Sequence, residues 1–157
     1  MFSESEKQEK LRDMLDLSGE FFVVGELLRR NIPAAITYGD TKNCDVIARN
    51  GRKIMSITIK VTRDGKWSIR RIESGASSLP DDSIVVFVNL PRDRSAPPEF
   101  FVLSGADVRA VFKSAEGPIM ANGLPRRDPI NCDDIQSHNG SWDKITTALG
   151  LPKGDWN

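Results

Sequence analysis

Three polar residues of this chain stand where their chemistry needs a reason: Glu20, Asp45 and Lys60. Asp45 opens a short apolar run, and beyond Asn50-Gly51 a second run, "KIMSITIKVT" over 53–62, carries Lys60 near its end. Side chains alternate along a strand, so Met55, Ile57, Ile59 and Val61 form an apolar face and Ser56, Thr58, Lys60 and Thr62 a polar one. Asn-Gly is a strong signal for a two-residue hairpin loop. A loop at Asn50-Gly51 pairs Arg49 with Arg52, sets Asp45 opposite Ser56, and sends Asp45 and Lys60 to the same side. Glu20 falls on nearly the same helical line as Val24 and Leu27, so it points where apolar side chains point. A carboxylate there needs either a capping role in a first helical turn or a metal and a lysine nearby. A buried salt-bridge network of Glu20, Asp45 and Lys60 satisfies all three groups as well.

The elements that must position these residues follow from periodicity and punctuation. Leu11, Met14, Leu15 and Leu17 are spaced as a helical arm over 3–17, and Ser18 then caps a second helix running to about Arg30, ended by "NIP". "AAITY" (34–38), "DVIA" (45–48), "KIMSITIKVT" (53–62) and "WSIRRI" (67–72), separated by Gly39, Asn50-Gly51 and Asp64-Gly65, read as an antiparallel meander. "SIVVFVNL" (83–90) has no alternation, which places it at the centre of the sheet with both faces covered. "PEFFVL" (98–103) is a further strand, and Ser104 with Asp107 three residues on caps a helix of about ten residues. From Gly117 the chain is rich in Gly, Pro, Asn and Asp, with one short helix expected at "GSWDKITTAL" and with Trp142 and Ile145 pinning the tail to the core.

Composition narrows the chemistry. The 157 residues fit one domain, 1–157, with a helical arm at 1–17 and a loop-rich tail at 117–157, large enough to bury a core without metal or disulfide staples. Lys+Arg and Asp+Glu balance at 22 each, so no global positive field draws the protein to nucleic acid or anionic lipid. Cys44 and Cys132 show no CxxC spacing and are read as reduced thiols. A single histidine, His138, disfavours a histidine-rich metal site or a Cys/His nucleophile pair, and its turn-like context reads as surface or capping. Ser77 and Ser78 lack a GxSxG elbow. The longest apolar run, "IVVFV", is too short to span a bilayer, and the polar N-terminus lacks a signal peptide's apolar region, so a cytoplasmic location and no membrane partner are expected. Lys66, Trp67, Arg70 and Arg71 follow the lysine strand directly, either tracking a phosphate backbone or forming a solvated strand edge around one packed tryptophan.

The segments "GEFFVVGELLRR", "GDTKNCD" and "ITIKVT", in that order and spacing, resemble the PD-(D/E)XK nuclease superfamily, and in particular small bacterial members of it. The likeness extends through "SIVVFVNL", "EFFVL" and the tail with Trp142. It implies an α/β fold with a restriction-endonuclease-like core, a mixed β-sheet flanked by helices. It also implies Mg²⁺ or Mn²⁺ as cofactor and DNA as partner, and leaves a homodimer open. By position, Glu20 and Asp45 would be metal ligands, the Ile59 carbonyl a third, and Lys60 the catalytic lysine that orients or activates the attacking water. Where active members carry Asp, Glu or Gln two residues before the lysine, this chain has Thr58, a neutral hydroxyl. The resemblance thus implies either a metal-dependent endonuclease whose site Thr58 weakens, or an inactive nuclease-fold protein that binds DNA or another protein.

Overall fold

Six consecutive buried residues, Ile84–Asn89, form the middle of the sheet in the computed structural model, which describes residues 3–38, 44–68 and 79–152. A strand buried on both faces needs neighbours on both edges. This one, β5, has β3 (Lys53–Thr62) parallel on one side and β6 (Glu99–Ser104) antiparallel on the other. Outward from β3 lie β2 (Val46–Asn50) and β1 (Ala34–Ile36), each antiparallel to its neighbour, giving the order β1-β2-β3-β5-β6. The expected meander therefore holds through β1, β2 and β3. Of the expected strand "WSIRRI", residues 69–72 lie outside the described residues, and Trp67 does not join the meander. Both edges of β3 are taken by β2 and β5, and β4 (Lys66–Trp67) pairs instead with β9 (Ile130–Asn131) in a separate two-stranded sheet.

Helix α1 (Glu4–Arg29) covers one face of the sheet, burying Val23 and Leu27 against Val46, Ala48, Ile57 and Ile59. It is one helix and not an arm followed by a second. Its N-cap is Ser3, whose Oγ accepts from the Glu6 N–H at 3.2 Å while Glu6 Oε2 accepts from the Ser3 N–H at 2.6 Å, a capping box. Ser18 caps nothing; its hydroxyl donates to the Leu15 carbonyl at 2.7 Å within the helix. Beside α1 packs the short α3 (Asp143–Ala148), with Trp142, Ile145 and Leu149 buried in the same cluster, as expected for the tail.

The other face is covered by α2 (Gly105–Ser114), β9 and a 3₁₀ segment (Cys132–His138), which enclose Val85, Phe87, Phe101 and Leu103 with Val108, Ile130 and Ile135. Ser104 and Asp107 form the expected capping box of α2. Between α2 and β9, residues read as loop form a hairpin, β7 (Glu116–Ile119) with β8 (Pro125–Arg127). The result is the mixed α/β sheet with helices on both faces that the nuclease resemblance implied.

The β2–β3 register differs by two residues from the one expected. Asn50 pairs with Lys53, so Gly51 and Arg52 are the corners and Gly51 takes φ +57. Asn50 is held in the strand because its side chain donates to the Leu149 carbonyl at 3.1 Å.

The seam between α1 and β3 is set by Gly19, where a Cβ would overlap Cγ2 of Val61 and lie 3.2 Å from its Cγ1. Glycine to alanine in a helix ordinarily stabilises by up to about 1 kcal/mol. Here the overlap wins, and Gly19→Ala is expected to destabilise by about 1–3 kcal/mol in chemical denaturation. A double-mutant cycle with Val61→Ala should show favourable coupling; additive losses would remove the close approach as their cause.

Candidate active site

At the C-terminal end of β3 a cleft of about 830 Å³ opens between α1 and β4. Arg12, Asp16 and Glu20 reach it from α1, where a spacing of four residues stacks side chains on one helix face. Ile59 and Lys60 reach it from β3, and Asp45 from the residue before β2. Glu20, Asp45, Ile59 and Lys60, which the sequence singled out, thus line one cleft, together with Lys66 and Trp67. The two-residue register shift did not disturb this, because a slip of two keeps every side chain on its face.

Two hydrogen bonds fix the frame. Asp45 Oδ2 accepts from the Ile59 N–H at 2.6 Å, which orients the carboxylate across the hairpin and leaves Oδ1 for other partners. The Asp45 N–H donates to the Ile57 carbonyl at 3.0 Å and continues the ladder to that point. From below, Trp67 Nε1–H donates to the Lys60 carbonyl at 3.1 Å and ties β4 to the lysine's own backbone.

The electrostatics are those of crowded carboxylates. Burial, then the charges of Asp45 and Asp16, push the Glu20 carboxyl up from 4.5 to about 7. Asp16 is also raised, by burial first and by Asp13 and Asp45, against the pull of Arg12 and Lys60. Arg12 Nε stands 3.8 Å from Asp16 Oδ2, a solvent-exposed pair that offsets little. Among the described residues no ion pair joins Lys60 to Glu20 or Asp45, which argues against the buried salt-bridge network. Asp16 was missed by sequence reasoning, although its four-residue offset from Glu20 is visible once α1 is one helix.

The donor set is oxygen-only and acidic, which fits a hard divalent cation. Among the described residues no group of three or more His, Cys, Asp or Glu side chains is gathered into a metal cage. Glu20 and Asp45 are two carboxylates that could reach a cation in this cleft, and a cation held by two carboxylates would keep several of its waters.

Other expected site residues lie apart. Thr58 shares the strand face of Lys60 but is 5% exposed and is not among the residues lining the cleft. Trp67 is 4% exposed and packs edge-on against Phe87 and Phe101, with ring centroids 5.3 Å and 6.0 Å away, so it is a core residue and cannot serve as a stacking platform for bases. Lys66 is exposed on the rim, and Arg70 and Arg71 fall outside the described residues. His138 is far from this chemistry. Its Nδ1 lies 2.8 Å from Lys144 Nζ, which also donates to the Val102 carbonyl and to Asp107, and burial and Lys144 lower its pKa. Both cysteines are free thiols.

A carboxyl raised in the folded state loses stability as pH rises from its unfolded value through its folded one. Glu20 should therefore titrate near 7 by carbon-detected NMR, and Asp45→Asn should lower that midpoint. Glu20→Gln should melt above the parent protein at pH 8, with the difference vanishing below pH 4.5. A Glu20 midpoint at an ordinary carboxylate value would contradict the crowding.

No protein-family model matches the chain, and no curated protein matches it in sequence. Among solved structures it is similar to Hjc, a Holliday junction resolvase from the archaeal hyperthermophile Archaeoglobus fulgidus. The TM-score is 0.45 and the identity 14%, over 88% of this chain and 98% of that one.

Proposed function

We propose that the cleft hydrolyses phosphodiester bonds of DNA with Mg²⁺ or Mn²⁺ as cofactor. The observation that carries this reading is the convergence of Asp16, Glu20 and Asp45 from α1 and the β2 end with Lys60 from β3 on one cleft, where the Glu20 carboxyl is pushed up to about 7. Carboxylates crowded in this way gain from a divalent cation, and a lysine at their edge suits charge developing on a phosphate. Bound there, the metal supplies a polarised phosphate and a water of lowered pKa.

The chain's own residues do the rest. Glu20 and Asp45 hold the cation, Asp45 in the orientation fixed by the Ile59 N–H. The Ile59 carbonyl is a third candidate ligand. Lys60 orients the attacking water and stabilises negative charge on the phosphate, its backbone steadied by the Trp67 indole. Arg12 and Lys66 on the rim meet neighbouring backbone phosphates, a contact that weakens as salt rises.

One observation favours a second reading, a DNA- or protein-binding module without cleavage. Thr58 is neutral, buried and outside the cleft lining, so the ligand that active nucleases place two residues before the lysine has no counterpart here.

Incubating plasmid and branched DNA with the protein and Mg²⁺ or Mn²⁺ distinguishes the two. Cleavage should fall by about 100-fold or more in Lys60→Ala, as for loss of a group that stabilises transition-state charge. Asp45→Asn and Glu20→Gln should lose both cleavage and the calorimetric heat of Mn²⁺ binding. Absence of cleavage and of metal binding in the parent protein sinks the enzyme reading, and DNA retention without cleavage selects the second.

A further inference from the structure

Helix α1 has two apolar faces, and the fold uses one. Gly19, Val23 and Leu27 are buried against the sheet. On the opposite side Leu11, Met14, Phe21 and Leu28, with Leu17 and Phe22 beside them, are 39–60% exposed. Together they present roughly 600 Å² of apolar surface, at the upper end of the largest patch on a typical monomer. Scattered exposed leucines need no account, but a continuous stripe along some 26 Å of helix does.

The spacing of the stripe states what fits it. Leu11, Met14, Ser18, Phe21, Gly25 and Leu28 follow one another at intervals of 3, 4, 3, 4 and 3, the seam of a coiled coil. From Met14 onward large and small residues alternate within it. A Cβ at Gly25 would meet nothing within 4 Å, so on the stripe the glycine faces open space and presents no side chain of its own.

We propose that α1 is a homodimer interface in which two copies pack antiparallel about a two-fold axis. That arrangement sets Leu11 against Leu28, Met14 against Gly25 and Ser18 against Phe21, each layer occurring twice by symmetry. Every small residue then receives a large one from the partner. A parallel pairing in register would stack Gly25 on Gly25 and Ser18 on Ser18, leaving voids between crowded Met14 and Phe21 layers. Lys10 meets Arg29 across the antiparallel pair, where Glu26, 2.9 Å from Arg29, offsets the repulsion. Two fully covered stripes would bury at most about 1,200 Å², at the lower bound for a stable specific interface, so the dimer is a reversible one. Arg12, Asp16 and Glu20 lie on the far side of α1, so both clefts stay open and face away from each other. The proposal is therefore independent of what the clefts do.

Sedimentation of the full chain from about 1 to 100 μM tests it. The parent protein should show a reversible monomer–dimer equilibrium, and Phe21→Glu should weaken association by at least about tenfold while circular dichroism keeps the native α/β signature. Gly25→Met should also weaken association by filling the space that Met14 occupies, although removing a helical glycine favours the monomer's own helix. Adding Met14→Ala to Gly25→Met should recover part of the affinity. A monomer throughout the range overturns the proposal. So does a dimer that both substitutions leave intact, and so does flotation of a monomeric protein with anionic lipid vesicles, which would assign the stripe to a membrane surface.

Discussion

The approach of α1 to β3 at Gly19 and Val61 is the constraint on which the rest of this fold depends. Removing a single Cβ lets the helix lie directly on the strand, and the height of the helix fixes everything carried on its buried side. Asp16 and Glu20 flank that point of contact, so they are delivered to the end of β3 where Lys60 emerges. A wider seam would let water reach both carboxylates and let them separate. The close seam instead crowds them with Asp45, and burial becomes the leading cause of the raised Glu20 pKa.

A second tie works from the opposite face of the sheet. Trp67 belongs to the cluster of Phe87 and Phe101, yet its indole N–H reaches through to the Lys60 carbonyl. The two cores, one under α1 and one under α2, are thereby both connected to the residue at the mouth of the cleft. Asp45 adds a third tie by bonding to the Ile59 backbone. Two of the cleft's side chains, Asp45 and Trp67, are thus held by bonds to backbone, which fixes them without an ion pair to Lys60.

How far the sequence foretold this can be traced residue by residue. The central strand, the α2 capping box and the packing of Trp142 were legible because each rests on local composition: an unbroken apolar run, a Ser-x-x-Asp pattern and a large residue in a polar tail. The parity of Asp45 and Lys60 was legible although the turn was misplaced, because a two-residue register error conserves faces. Ser18 was misleading because serine serves equally as a cap and as a donor to a carbonyl within a helix. Breaking α1 there hid Asp16, whose relation to Glu20 exists only along a continuous helix. The pairing of β4 with β9 joins residues about 65 positions apart, and no local pattern announces a two-residue strand that finds its partner at such a distance.

The parallel pairing of β3 with β5 carries a consequence for how the molecule comes to exist. The β1–β2–β3 meander closes through short separations and can assemble as soon as it is synthesised, whereas β5 must be brought alongside β3 in the same direction across residues 63–83. Pairings of that kind are slow because chain entropy is lost before any contact compensates for it. Until they form, β3 is an apolar strand with one bare edge, the type of surface that recruits other chains. The crowding of Glu20 and Asp16 with Asp45 needs only α1 seated on the meander, so the acidic side of the cleft depends on contacts of β2 and β3 and not on the slower pairing with β5.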